Sequence, residues 1–234
     1  MHPQIQIELD MSDRLRLLAQ DGFDVAVRHT SAPPETHVAW TLAETRSVIV
    51  ASRSYLHKRK APDVPGALSE HACLHYPRTQ GLPTWTFVPA VTKGRAKNAT
   101  PITVEVAEPL AVNNSEALRD AAIEGLGIAL LPDFSAQSAL DAGRLVEVLP
   151  EWRPTGAFGE RLYAIRPYAA HASRVSQVFI DYLSGAFSPG LCSQVVVARR
   201  ANAQPRLATG RLARADRHLD AQQITLRTLT CRRA

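Results

Sequence analysis

The chain has 234 residues, of which 45% are hydrophobic, with three cysteines and a formal net charge of +5. Such a chain is long enough for one two-lobed α/β unit or two small domains, and no apolar run approaches the roughly 18 residues a membrane-spanning helix needs. Cys73, Cys192 and Cys231 are an odd number without C-x-x-C spacing, and the start MHPQIQIELDMSDR has neither a basic nor an apolar signal segment. That combination excludes a disulfide scaffold and predicts a reducing compartment. The charge is uneven. From Pro189 onward there are nine arginines, two aspartates and no lysine, so this segment carries +7 and the rest −2. A basic average therefore does not make the body a nucleic-acid binder.

Gln4–Leu9 alternates polar and apolar residues and predicts a strand. Ser12 or Asp13 is placed to cap a short helix carrying Leu15, Leu17 and Leu18, which Asp21-Gly22 ends. Phe23–Arg28 is a second strand, and the three elements read as a parallel βαβ unit. Ser31–Glu35 is a loop, and Ser47–Ala51 a central strand. Lys58–Gly66, with Pro62 and Pro65, is a polar linker and marks a lobe boundary.

The strands that follow are expected within Ala67–Tyr76 after its start, at Thr84–Val88 and at Ile102–Val106, with a basic loop at Lys93–Lys97. NNSEALRDAAIEGLGIALLP (113–132) then reads as a capped helix, a glycine stop and a buried strand. Asn113 and Glu116 form a capping box, with the helix from about Asn114 to Glu124 and Gly125 at its end. Arg144–Leu149 and Arg161–Ile165 are strands, and Ser173–Leu183 is an amphipathic helix ended by Ser184-Gly185. The arginine-rich segment 189–234 reads as disordered or weakly helical.

Few residues suggest chemistry. G-x-S-x-G, P-loop and H-E-x-x-H motifs are absent from the sequence, so no enzyme and no cofactor are expected. Gly125-x-Gly127 follows a helix and precedes a strand, the reverse of a dinucleotide fingerprint. His71, Cys73 and His75 fall on one strand face, but no fourth metal ligand is evident and no metal is expected. Arg28, His29 and Thr30 end a strand, where open α/β sheets bind ligands; Arg28 suits a carboxylate or a structural ion pair, and His29 reads as a solvent-facing loop residue. Asn113, Asn114 and Ser115 begin a helix that either packs as plain scaffold or holds an anion at its N-terminus.

DGFDVAVRHT (21–30), VIVASRSYL (48–56), LSEHACLHY (68–76), TWTF (84–87), VNNSEALRDAAIEGLGIALLPDF (112–134) and AGRLVEVLPEW (142–152) occur in an order and spacing that resembles the effector-binding domain of LysR-type transcriptional regulators. The resemblance covers roughly residues 3 to 187. It implies an α/β fold of two Rossmann-like lobes, of the type 2 periplasmic-binding-protein kind, joined by crossing strands with a small effector between them.

On that plan, residues 1–57 and 166–188 are lobe I, 58–165 lobe II and 189–234 an appended tail, with the second crossing near Tyr163–Arg166. The resemblance adds Ser12, whose turn faces the effector, and Tyr76, Thr79 and Trp85 as cleft walls or core residues, to the candidates Arg28, His29, Thr30, Asn113, Asn114 and Ser115. The implied ligand is a small carboxylate or another anion. A homodimer or tetramer in the cytoplasm is implied, without membrane, with DNA contacted only through a winged helix-turn-helix that this sequence does not contain. That domain and the first strand and helix of lobe I are expected to be missing through truncation or frame disruption. The other readings are a solute-binding protein and a fragment without function.

Overall fold

The computed structural model describes residues 5–12, 17–77, 82–90, 100–168, 173–187 and 223–229. In chain order the elements are β1 (Gln6–Ser12), α1 (Leu18–Asp21), β2 (Val25–Thr30), β3 (His37–Glu44), β4 (Ser47–Ser52), α2 (Arg53–Lys58), a 3₁₀ turn (Pro65–Glu70) and β5 (Ala72–His75). They continue with β6 (Thr84–Pro89), β7 (Ile102–Glu105), β8 (Ala107–Ala111), α3 (Ser115–Ile123), β9 (Ile128–Pro132), α4 (Asp133–Asp141) and β10 (Leu145–Glu147). β11 (Trp152–Thr155), β12 (Arg161–Pro167), α5 (Arg174–Phe187) and β13 (Gln223–Leu229) complete the set. The chain divides into two compact units, one of residues up to Thr45 and from Gly159 onward, the other Arg46–Phe158.

These boundaries differ from the expected 57/58 and 165/166 because strand partners, not the proline-rich linker, decide membership. β4 pairs with β9 and β10 and so belongs to the second unit, while β12 pairs with β2 and β3 in the first. The Lys58–Gly66 stretch lies within the second unit, between α2 and the 3₁₀ turn.

The first unit is one sheet in the order β1-β13-β2-β12-β3. Val25 and Val27 of β2 face a core with Leu42, Leu162, Ala164 and the α5 residues Ile180, Leu183 and Phe187. Ala26, one residue out of phase, joins Leu18, Phe23, Tyr163 and Ile165. The period-two alternation of the strand thus serves two cores. α5 runs past Gly185 to Phe187 because Phe187 is 3% exposed. Burying that ring, about 2–3 kcal/mol, outweighs the roughly 1 kcal/mol an internal helical glycine costs.

Two expectations change in this unit. β1 and β2 run parallel, yet they do not pair; β13 lies between them, antiparallel to both. Reading 189–234 as one arginine-rich segment hid the alternation in QITLRTL; the remainder of that segment lies outside the described residues. The helix expected after Ser12 begins only at Leu18, with Leu17 at its N-cap and no side-chain cap. Ser12 instead ends β1, opposite Gln223.

The second unit holds a five-stranded sheet, β10-β4-β9-β5-β8, and a three-stranded antiparallel sheet, β11-β6-β7. β5, β8 and β9 run parallel, and β4 and β10 complete the sheet by antiparallel pairs. Every residue of β9 is buried, as a strand covered on both faces requires. Ile128 and Leu130 meet Ile49, Cys73, Trp85 and Phe87 on one face. Ala129 and Leu131 meet Leu118 and Ala122 of α3 and Ala136 and Ala139 of α4 on the other. A side chain at Gly127 would collide with the Ala72 carbonyl, so only glycine lets β9 enter the sheet beside β5.

Candidate functional site

In the second unit, the parallel strands β5 and β8 end side by side. His75 pairs with Ala111, and the Val112 N–H donates to the His75 carbonyl at 3.1 Å. Tyr76 therefore leaves the sheet next to the segment Val112–Asn114 that opens α3. This is the carboxyl edge of the parallel strands, where open α/β sheets take ligands. Tyr76 packs edge-on against Phe158, with ring centroids 5.1 Å apart.

The helix start is shifted by one residue from the expected capping box. Asn114, not Asn113, is the N-cap, and its Oδ1 accepts the Ala117 N–H at 2.8 Å. Glu116 reaches Arg119 at 3.8 Å. Asn113 stands exposed just before the cap. At the other end, Gly125 takes φ +80°, its N–H donating to Ala122 and that of Leu126 to Ala121. That is a Schellman stop, so Gly125 is a helix terminator.

Ser115 is fully buried and its Oγ lies 2.8 Å from the Ser135 Oγ. This bond ties the first turn of α3 to that of α4 and makes Ser115 a packing residue. α4, which follows β9 at the same sheet edge, was not read from the sequence, although Pro132-Asp133 after a buried strand is a helix-start signal. Its first residue, Asp133, is buried and burial raises its carboxyl pKa. Each helix thus has one carboxylate in its first turn, Asp133 in α4 and Glu116 in α3, and only α3 has a side-chain cap.

Trp85 is 3% exposed and sits in the core with Phe87 and Ile128, the cluster against which Phe158 also packs. Thr79 lies outside the described residues. His71, Cys73 and His75 have other partners. The Tyr55 hydroxyl is 3.1 Å from His71 Nδ1, Cys73 Sγ donates to the Leu68 carbonyl at 3.6 Å, and His75 Nδ1 is 2.6 Å from the Tyr76 carbonyl. Among the described residues no three His, Cys, Asp or Glu side chains converge as metal ligands.

The first-unit candidates end β2. Arg28 is 8% exposed, and burial draws its pKa down from the ordinary guanidinium value. His29 is not the solvent-facing loop residue expected. Its Nε2 lies 2.6 Å from Thr45 Oγ1, and that hydroxyl donates to the Gly159 carbonyl at 3.2 Å. The hydroxyl has one proton, so Nε2–H is the donor to Oγ1. Thr45 N–H also donates to the Glu160 carbonyl at 2.9 Å. His29 thus fastens Thr45 and Gly159, the two places where the chain leaves this unit. Burial pushes its pKa down to about 4. Thr30 turns its hydroxyl to the Ala32 carbonyl at 3.0 Å.

Comparisons with known proteins agree with this architecture. The LysR substrate binding domain model matches residues 1–188. The probable HTH-type transcriptional regulator LtrA of Klebsiella pneumoniae is 32% identical over 78% of this chain and 57% of its own length. The HTH-type transcriptional regulator YhjC of Escherichia coli is 32% identical over 79% and 59%. The full-length structure of the Vibrio cholerae virulence activator AphB superposes with a TM-score of 0.62 at 26% identity, covering 76% of this chain and 57% of that one. The regulatory domain of CrgA from Neisseria meningitidis gives 0.58 at 23%, over 71% and 76%. The chain thus spans less than two thirds of the curated relatives it matches. With α/β units of the periplasmic-binding-protein-like type 2 fold and a family match over four fifths of its length, the chain belongs to the LysR-type transcriptional regulators and carries their substrate-binding domain.

Proposed function

We propose that this domain senses a small anion, a carboxylate in the first instance, at the edge formed by Tyr76, Asn113 and Asn114. One observation carries the reading: a capped nine-residue helix, α3, begins at the carboxyl ends of the parallel strands β5 and β8. The positive end of such a helix favours negative charge by about 0.3–1 kcal/mol, and its N–H groups orient an oxygen anion. Arg28 and Thr30, at the end of β2, are the corresponding groups of the first unit, and Ser12 ends β1 of the same sheet. Effector binding then changes how attached DNA-binding domains, in an oligomeric and cytoplasmic regulator, sit on their operator.

The test is a melting-temperature screen of the whole chain with small mono- and dicarboxylates, phosphate and sulfate. An anion that raises the transition is then titrated against Asn113→Asp and Arg28→Ala. Asn113 is exposed, so placing a carboxylate there leaves the core intact while opposing the anion. The expected result is a loss of affinity of about tenfold or more, equivalent to about 1.4 kcal/mol. Unchanged affinity in Asn113→Asp refutes the α3 site. An unchanged melting rise in Arg28→Ala removes Arg28 from the ligand set.

A further inference from the structure

β1 joins its sheet through one neighbour. In the order β1-β13-β2-β12-β3 that neighbour is β13, from the C-terminal end of the chain. On one side the register runs from Gln6 opposite Leu229 to Ser12 opposite Gln223. On the other, Ile224, Thr225 and Leu226 stand opposite Val27, Ala26 and Val25. Leu226 is therefore in register with both Leu9 and Val25, and Ile224 with both Met11 and Val27. Val25 and Val27 are 1% and 2% exposed, at the heart of the core that α5 covers. The segment is an interior strand, and without it β1 and β2 face each other as two unpaired edges.

We propose that the space between β1 and β2 is a strand-accepting slot whose occupant is this chain's own Gln223–Leu229. The slot takes an extended segment antiparallel to both walls and holds it mainly by main-chain hydrogen bonds, as in β-strand addition. The segment 188–222 connects α5 to the slot, and closure entropy grows only slowly with the length of such a connection. Insertion ties β1 to β2 along Val25–Val27, while Arg28, His29 and Thr30 are held by their pairing with Tyr163, Leu162 and Arg161 of β12. This does not depend on which ligand the domain senses.

The test is hydrogen exchange on the full 234-residue chain, alone and with Leu226→Pro. A proline at Leu226 removes a main-chain donor at a position paired on both sides. Amides of residues 7–11, 25–27 and 224–228 are expected to exchange about a hundredfold more slowly than in an unstructured chain. Leu226→Pro speeds all three stretches together by about tenfold or more and leaves 128–131 in β9 unchanged. Free exchange of 224–228 in the parent chain, or unaltered protection of 7–11 in the variant, overturns the proposal.

A second measurement stands if the proline variant fails to fold. With Cys192 and Cys231 changed to serine, Leu9→Cys and Leu226→Cys place two thiols at directly opposed positions, where Cβ atoms lie about 5 Å apart. Oxidation is expected to give one intramolecular disulfide on a monomeric chain. Free thiols overturn the slot, and disulfide-linked dimers assign it to the strand of a second copy.

Discussion

Lowering the pH tests the role of His29. The imidazole is neutral in the folded chain, with Nε2–H given to Thr45 Oγ1 at 2.6 Å, and burial holds its pKa near 4 against an ordinary 6.5. The unfolded chain therefore binds a proton between those two values while the folded chain does not. Stability is full above about pH 6.5, falls as the pH drops toward 4, and levels off below. A shift of about 2.5 units corresponds to about 3 kcal/mol, and screening at a partly exposed ring makes that a ceiling. His37 and His71 are also shifted down by burial and have the same sign, so the assay must isolate one ring. Urea unfolding between pH 4.5 and 7.5, compared for the parent chain and His29→Asn, gives the difference in slope. The Hε1 resonance of His29 gives its pKa directly. A resonance titrating near 6.5, or identical pH dependence in the two proteins, refutes the placement of His29 in the Thr45–Gly159 lock.

Four further outcomes follow from local geometry. Asn114→Ala removes the α3 cap on Ala117 N–H and should cost about 1 kcal/mol in urea unfolding. Gly127→Ala drives a methyl group against the Ala72 carbonyl and should cost about 3 kcal/mol, while Gly66→Ala, with open space around its Cβ position, should be near neutral in the same melts. Gly159→Ala meets the Thr30 backbone and should loosen the end of β2, read as faster exchange of amides 28–30. The Cys73 thiol, buried and pushed up to about 12, should resist alkylation at pH 8 in the folded chain and react once urea unfolds it, with peptide mass spectrometry as the readout.

What could be read from the sequence divides by the range of the interactions involved. β2, β4 and β9 were legible because each carries its own apolar signal. α3 was legible because its cap, glycine stop and inner face all lie within about a dozen residues. The cap itself was misplaced by one. Two adjacent asparagines offer the same side chain, and the spacing to Glu116, which also reaches Arg119, selected the first of them. α4 escaped because its buried face is Asp133, Ser135, Ala136 and Ala139, small or polar residues that give little apolar contrast yet allow close packing on the sheet. β8 escaped because Pro109 reads as a breaker, although an edge strand tolerates it, and β8 is at the edge.

His29 and β13 share a deeper reason. His29 is held by Thr45, whose own hydroxyl partner lies 114 positions further along the chain. β13 acquires its neighbours from residues 6–12 and 25–27, near the opposite end of the sequence. Neither arrangement leaves a periodic trace beyond a brief alternation in QITLRTL, which a charge average over the same segment erases. The same distance gives both features their leverage. A local cap stabilises one helix turn, whereas a contact that joins distant parts of the chain fixes the relative placement of whole strands. Changes at β13 should therefore be felt at Val25–Val27, and changes at His29 at Thr45 and Gly159, far along the chain from the altered residue in both cases.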